Sequence, residues 1–322
     1  MLPRDSNNRS MTRRACLRSS LELAIGTALG ASAAPRVFGQ SVSLAATELR
    51  PGILQLAGGG GNIVLLHTPD GGALVDSGLA ADEADLLGAV SAKLSGRPLS
   101  ALFNTHWHLD HTGANAAFGE KGTRIVAHEN TRLWMSTEHY VDWQDRTYEP
   151  RPAAALPTDT FYSSDPQPIR MEIGGQAIEY AYLREAHTDG DIYVFFPDRN
   201  VLVAGGAVSV GAYPVLDFAT GGWIGGLENA TRALLDVADS DTLIVPASGP
   251  AQRRSHLLSQ LEMISAVRER VANMMRQGKS VEEMLEAGVT SEFDEFWGDN
   301  RERFVSNVYG GFWWQGRLDG SL

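Results

Sequence analysis

The feature that most constrains this chain is a run of histidine and aspartate directly after a strand-like segment. Residues 104–113 read Asn-Thr-His-Trp-His-Leu-Asp-His-Thr-Gly, with three histidines and one aspartate on the H-x-H-x-D-H spacing. The apolar run Leu99 to Phe103 precedes them, and a helix-like segment, Ala114 to Phe118, follows. Successive residues of an extended chain point to opposite faces, so His106 and His108 share one direction.

A metal site is the chemistry that this run predicts. Asp110 and His111 lie on the turn and can reach a second point close to the two preceding histidines. Neutral imidazole and carboxylate groups are good ligands for Zn²⁺ and similar divalent ions. The simpler alternative is a polar loop whose histidines only cap a helix, and structural context has to decide between the two.

The first 39 residues predict an export signal. Residues 12–18, Thr-Arg-Arg-Ala-Cys-Leu-Arg, resemble a twin-arginine signal, and an apolar stretch rich in alanine and glycine follows at 21–34. This stretch is too short for a membrane span, and cleavage is expected after Ala33 or Gly39. We therefore expect a periplasmic or secreted protein without membrane insertion after signal removal. The alternative is a tail in which the arginine pair is a coincidence.

The charge balance argues against two classes of partner. The chain has 27 basic and 39 acidic residues and a net charge of −12. Residues 1–39 hold six arginines and two acidic residues, so 21 basic and 37 acidic residues remain after them, a net charge of −16. Nucleic acids and anionic membranes bind basic surfaces, so the expected partner is a small molecule. Cys16 is the sole cysteine, so no thiolate of the mature protein can join a metal site.

Several segments together resemble the metallo-β-lactamase superfamily, and the resemblance covers about residues 47–270. The run at 104–113 resembles its signature, residues 59–64 and 70–78 its opening strand pair, and residues 186–191 its third metal-binding segment. The greatest likeness is to its generic bacterial hydrolase branch. Alternating apolar runs and turns predict only a mixed α/β (α+β) protein. The resemblance implies a four-layer αββα sandwich.

Hydrophobic patterns predict the elements of this fold. Strands are expected at 53–56, 62–67, 73–75, 99–103, 124–127, 169–173, 176–183, 192–196, 201–204 and 242–245. Helices are expected at 82–94, 129–137, 223–237 and 252–277. The proline-rich residues 138–168 predict an irregular loop, either a substrate-side loop or lid or a plain surface excursion. The domain is expected over 40–290, with 291–322 a tail that packs on it or on a partner subunit of a homo-oligomer.

The metal ligands follow from the resemblance. It implies a tri-histidine first site, which leaves one tetrahedral position open for water. These histidines are His106, His108 and His187. A second site would combine Asp110 and His111 with a bridging aspartate and a further histidine. Gly206 and Ser248 occupy those two positions, so this binuclear site is degenerate and one zinc ion is expected.

Other polar residues have expected supporting roles. The resemblance implies that Asp76 orients a ligand histidine, and the alternative is a simple strand-end turn. Asp191 is expected to anchor a turn rather than to bind metal. Asp217 and His128 are weak candidates for the missing ligands, because isolated polar residues are usually structural or solvated.

Two functional hypotheses remain open, and a third is disfavoured. The leading one is a single-zinc hydrolase of a small ester, lactone or amide, with Asp110 as general base and His111 bonded to the oxyanion or leaving group. Substrate would enter past the 138–168 loop and residues 212–214. The rival is a non-catalytic ligand-binding or assembly module, which the changes at 206 and 248 favour. The third hypothesis, diiron-type oxidoreduction, is disfavoured because it needs the full set of bridging metal ligands, which this sequence lacks.

Overall fold

The computed structural model describes residues 44–162, 167–298 and 300–319, and these residues form two β-sheets flanked by helices. The expected export signal lies outside the described residues. The strands are β1 (Ala45–Arg50), β2 (Ile53–Ala57), β3 (Ile63–Thr68), β4 (Gly71–Val75), β5 (Leu99–Phe103), β6 (Arg124–His128), β7 (His139–Val141), β8 (Arg146–Tyr148), β9 (Asp159–Phe161), β10 (Ile169–Ile173), β11 (Gln176–Tyr182), β12 (Ile192–Phe196), β13 (Val201–Gly205) and β14 (Leu243–Pro246). The α-helices are α1 (Glu83–Leu94), α2 (Leu109–Thr112), α3 (Asn115–Gly119), α4 (Glu129–Ser136), α5 (Ile224–Val237), α6 (Arg254–Arg276), α7 (Val281–Glu286), α8 (Asp294–Trp297) and α9 (Arg301–Asp319).

Each half of the described chain contributes one large sheet. The first sheet has the order β1-β2-β3-β4-β5-β6-β9, antiparallel from β1 to β4 and parallel from β4 to β9. The second has the order β10-β11-β12-β13-β14, with a parallel final pair. Strands β4 and β13 are buried along their whole length, as continuous apolar runs covered on both faces must be.

The core between the two sheets comes from side chains of both. Val64, Val75 and Phe103 of the first sheet share a buried cluster with Ile178 and Tyr180 of the second. The rings of Phe103 and Tyr180 lie 5.2 Å apart, a distance typical of packed aromatic pairs. The sheets therefore pack face to face as a sandwich.

Helices cover the outer face of each sheet. A second buried cluster joins the first sheet to α1 and α3, for example Leu74 to Leu86 and Phe118. A third joins the second sheet to α5, α6 and α9, for example Leu202 to Leu227. The order of layers is helix, sheet, sheet, helix, which confirms the mixed α/β sandwich expected from the resemblance.

The 138–168 segment differs from its prediction, because it is not irregular throughout. Strands β7 and β8 form an antiparallel hairpin whose turn residue Asp145 has a φ of 49°. Strand β9 adds to the edge of the first sheet beside β6. The described prolines of this segment, Pro150, Pro152, Pro157 and Pro168, lie outside these strands, so the lost N–H donors do not disturb the ladders. Strand β1 was also not predicted.

The residues after β14 are mostly helical. Helix α6 ends before Gly278, whose φ is 74°, and Ser280 and Glu283 form a capping box at the start of α7. Trp297 is buried in the core, whereas Trp313 and Trp314 are exposed. Within the described ranges, no helix is both long and apolar enough to cross a membrane.

Candidate metal centre

Three histidines that are distant in sequence meet at one end of the sandwich. His106 and His108 follow β5, and His187 lies in the turn between β11 and β12. Their ligand atoms all lie within 4.8 Å of one another. The three rings stand nearly perpendicular to one another, with centroids 4.7 to 4.9 Å apart. The structure thus brings together the three residues predicted for the first metal site.

The hydrogen bonds of His187 determine which of its nitrogens is free. Its Nδ1 lies 2.6 Å from the carbonyl oxygen of Val215. A carbonyl oxygen can only accept, so Nδ1 carries the proton and donates it. Burial and, to a lesser extent, the neighbouring His108 lower the pKa of His187 to about 4. At neutral pH the ring is therefore uncharged and Nε2 presents a lone pair.

The same reasoning applies to His108. Its Nε2 lies 2.9 Å from Oδ2 of Asp217, so this nitrogen donates to the carboxylate and Nδ1 presents a lone pair. This lone pair lies only 2.9 Å from Nε2 of His187. In neutral rings, two lone pairs at this distance repel each other unless a proton or a metal ion lies between them. Zn²⁺ bonds to imidazole nitrogen at about 2.0–2.1 Å, so His108 and His187 would both serve as ligands of one ion.

His106 completes the set of donors through Thr105 and Asp76. The Oγ1 of Thr105 donates to Oδ2 of Asp76 at 2.7 Å and lies 3.0 Å from Nδ1 of His106. Because the hydroxyl proton is used, Nδ1 of His106 donates to this oxygen and Nε2 stays free. Burial and the neighbouring histidines keep the pKa of His106 well below 6.5. Neutral imidazoles of fixed tautomer are what a divalent metal requires, so the residues fit zinc.

Asp217 orients His108 and was missed by sequence reasoning, which considered it only as a replacement ligand. Its buried carboxylate also accepts from Trp143 Nε1 at 2.9 Å and from Thr220 Oγ1 at 2.8 Å. Burial raises the pKa of Asp217, but these three hydrogen bonds outweigh burial and hold the pKa below its usual value. No local signal marks this residue, because Asp217 lies 109 positions from its partner His108.

The residues predicted for the second metal lie beside the first set. The ring of His111 lies 4.3 Å from that of His106, and its Nδ1 lies 2.7 Å from Oδ2 of Asp76. Asp76 thus orients a histidine, and its φ of 61° marks the turn after β4. The carboxylate of Asp110 lies 3.7 Å from Nε2 of His111, and its side chain is 49% exposed.

The ring of His187 leaves no space for a side chain at Gly206. A Cβ atom on Gly206 would lie 2.2 Å from Cδ2 of His187, closer than any real contact. A bridging aspartate therefore does not fit this backbone unless the ring of His187 moves. Gly206 and Ser248 do line the same cavity as the histidines. Among the described residues, the three histidines predicted for the first site lie together, and the positions expected to complete a second site carry glycine and serine.

The other polar candidates lie outside the cluster of ligand atoms. Asp191 accepts from the backbone N–H of Thr188 at 2.7 Å and from its hydroxyl at 3.0 Å, so it anchors the turn that carries His187. His128 stacks on Tyr182 at 4.0 Å and caps α4.

The three histidines open into a cavity of about 750 Å³. The 138–168 segment contributes Trp143, Arg146 and Tyr148 to its wall, so this segment does lie at the cavity. Residues of the 206–215 segment form another part, and Asn300 and Arg303 come from the C-terminal region. A groove of about 800 Å³ against α5 contains no histidine among its described lining residues.

Sequence comparisons agree with this geometry. The profile described as "Metallo-beta-lactamase superfamily" matches residues 56–249, more than half of the chain. The chain is 23% identical over 309 residues to a linear primary-alkylsulfatase of Pseudomonas sp. (strain ATCC 19151), covering 78% of this chain and 56% of that protein. It is 26% identical over 220 residues to the 2,4-dinitroanisole O-demethylase subunit alpha of Nocardioides sp. (strain JS1661), covering 67% and 61%. The chain thus spans less than two thirds of the length of either relative.

Solved structures share the fold. A metallo-β-lactamase from Pontibacter korlensis matches 69% of this chain and 99% of its own length, with a TM-score of 0.55 and 21% identity. A stereoselective inverting sec-alkylsulfatase from Pseudomonas sp. matches 87% of this chain and 52% of its own length, with a TM-score of 0.63 and 15% identity. The sandwich and the histidine cluster agree with the profile match over residues 56–249, and the chain belongs to the metallo-β-lactamase superfamily.

Proposed function

We propose that the chain is a single-zinc hydrolase that cleaves a small ester, lactone or amide. The observation that carries the proposal is the set of three imidazole nitrogens within 4.8 Å of one another, two of them 2.9 Å apart, at an open cavity. His106, His108 and His187 would hold the ion. When bound there, zinc supplies a Lewis acid that lowers the pKa of water and polarises the bond to be cleaved.

Asp110 is suited to accept a proton from the attacking water. Burial raises the pKa of this carboxyl, but the neighbouring His111 and His108 lower it more, so the carboxylate is ionised at neutral pH. The side chain is about half exposed and lines the cavity, so it can reach both solvent and substrate. These properties match those of a general base.

His111 is suited to bind the oxygen on which charge develops. Its Nδ1 is held by Asp76 at 2.7 Å, which fixes the ring, and its Nε2 lies on the side of Asp110. A Cβ on Gly61 would lie 2.5 Å from Cε1 of His111, so this ring is packed closely against backbone. A preorganised imidazole at this place could hydrogen-bond the oxyanion or the leaving group.

A single ion is favoured over two because two ligands of the second site are absent. Gly206 offers no side chain, and serine is a poor zinc ligand, so Ser248 does not replace a histidine. Asp110 and His111 alone make a weak site, which leaves Asp110 available as a base.

Two measurements on the wild-type protein and on Asp110→Asn test the proposal. We expect about one zinc per chain in protein purified without chelator, and hydrolysis of at least one member of an ester, lactone and amide panel. Alkyl sulfates and aryl methyl ethers belong in the panel because of the names of the two relatives. Asp110→Asn should lower kcat by about 10²- to 10⁴-fold and leave the zinc content unchanged. Asp236→Asn, an exposed residue of α5, is the matched control.

Two outcomes would contradict the proposal. Full turnover by Asp110→Asn would exclude Asp110 as the base. Protein that retains no zinc would favour the alternative, a non-catalytic ligand-binding or assembly module, which the changes at Gly206 and Ser248 also motivate.

A further inference from the structure

Two arginines line the cavity that holds the histidines. They are Arg146 and Arg303, and Asp110 is the acidic residue among the described lining residues. The buried carboxylates of Asp76 and Asp217 are hydrogen-bonded to His111 and His108 and do not line the cavity. The chain as a whole has a net charge of −12, so two arginines at one cavity do not follow from an excess of basic residues.

Among the described residues, neither arginine forms an ion pair with a carboxylate. Other arginines of the chain form ion pairs, such as Arg301 with Asp294 and Arg268 with Glu228. Within the part of the chain that the structure describes, Arg303 forms no ion pair or hydrogen bond. The guanidinium of Arg146 lies 4.6 Å above the ring of Tyr148, an uncharged partner that holds it at the wall.

The backbone around Arg303 is held at the cavity wall by its neighbours, and the side chain itself is exposed. Asn300, one turn earlier, accepts from the backbone N–H of Tyr213 at 2.8 Å and donates to its carbonyl at 2.9 Å. This pair of hydrogen bonds ties the start of α9 to the cavity wall. Phe304 stacks on the buried ring of Tyr213 at 4.8 Å. Arg303 lies beyond residues 56–249, the part that matches the family profile.

The remaining wall is partly apolar, and it includes Leu79, Leu109 and Val210. A ligand that complements the whole cavity is therefore amphipathic, with an anionic group and a short hydrocarbon part. Guanidinium groups bind the oxygens of carboxylates, sulfates and phosphates through paired hydrogen bonds.

We propose that the substrate is an anionic ester whose charged group is bound by Arg146 and Arg303. This inference rests on the proposed hydrolase function and narrows its substrate class. The sulfate, phosphate or carboxylate character of the anion is resolved by testing members of each class.

A matched pair of esters tests the inference by activity. The monoester of p-nitrophenol with glutaric acid carries a carboxylate, and p-nitrophenyl pentanoate is a neutral ester of similar length. We expect kcat/KM for the anionic ester to be about tenfold higher or more at low salt, and the preference to shrink at high ionic strength. Arg303→Gln and Arg146→Gln should each lower kcat/KM for the anionic ester about tenfold and lower kcat/KM for the neutral ester by a smaller factor. Arg303→Lys should restore part of the loss.

A binding measurement gives a readout that does not depend on turnover. Calorimetry should detect binding of 1-octanesulfonate, an anion that is not an ester, to the wild-type protein and weaker binding to both glutamine variants. 1-Octanol is the neutral control ligand. Arg276→Gln is the control variant, because it removes the same charge from the end of α6, where Arg276 bonds to Asn273.

The outcomes separate the two proposals. Equal kcat/KM for the two esters, or sulfonate binding that is the same in wild type and both glutamine variants, would overturn the anionic substrate. Arginine-dependent sulfonate binding by a protein that retains zinc but cleaves no ester would retain the anion site and refute the hydrolase.

Discussion

The replacement of Asp217 by asparagine tests whether the tautomer of His108 controls metal binding. Asp217 Oδ2 accepts from Nε2 of His108 and from Thr220, and Oδ1 accepts from Trp143. All of these partners are donors. An asparagine has one oxygen and one amide nitrogen, so one of the two positions must present N–H groups to a donor.

Either orientation of the new amide has a cost. If the nitrogen faces His108, that ring can keep its hydrogen bond only by moving its proton from Nε2 to Nδ1, the atom that would bind zinc. If the nitrogen faces Trp143 instead, two donors meet in a buried place, which costs about 1–3 kcal/mol. Both routes weaken the metal site without changing any ligand residue.

We expect Asp217→Asn to weaken zinc binding about 10- to 100-fold, the usual effect of losing the partner of a ligand histidine. This range corresponds to about 1.4–2.8 kcal/mol of binding free energy. Competition with a chromophoric chelator measures the zinc dissociation constant. Asp239→Asn, an aspartate that bonds to Asn200 at the surface, is the control. Wild-type zinc affinity in Asp217→Asn with an intact fold would refute the tautomer reasoning.

Three further variants test other parts of the structure. Gly206→Asp should reduce the zinc content instead of raising it to two ions, because the new Cβ meets the ring of His187, and elemental analysis that finds two ions per chain would contradict this. Burial lowers the pKa of His128 to about 4, so the folded state binds fewer protons than the unfolded state between pH 6.5 and 4 and the free energy of unfolding falls as pH falls through this window. His128→Phe should remove up to about 3 kcal/mol of that fall. Urea unfolding at pH 7 and pH 4.5 measures it, and an equal fall in wild type and variant would show that the reasoning is wrong. Tyr213→Phe removes the hydroxyl that donates to Asp294 at 2.8 Å and should lower the free energy of unfolding by about 1–2 kcal/mol, which denaturant titration can measure against wild type.

The strands that could be predicted are those with a continuous buried face. Strand β5 and strand β12 begin and end where the apolar pattern places them, because both are apolar runs within the sandwich. Strands β7 and β8 have three residues each and several exposed side chains, so they lack a periodic signal. Only their pairing with each other makes them strands, and pairing is not visible in a linear pattern.

The residues of the candidate site also differ in whether a local pattern in the sequence predicts them. The spacing of His106 and His108 after a strand was sufficient to predict that they share a direction. The contributions of Asp217 and Arg303 could not be predicted, because both reach the cavity from distant segments with no local motif. Thr105 is different, since its position next to His106 offered a signal that sequence reasoning did not use.

The groups that orient the three histidines bear on whether the first site can bind metal without the second. Each ligand histidine has its other nitrogen bonded to a different group: Thr105, Asp217 and the carbonyl of Val215. None of these groups depends on a side chain at position 206 or 248. Burying a carboxylate is costly, and Asp217 fixes the tautomer of His108 in addition to accepting hydrogen bonds from Trp143 and Thr220. The complete orienting set therefore supports a first site that still binds metal, and Gly206 fits as a residue that leaves room for His187 within it.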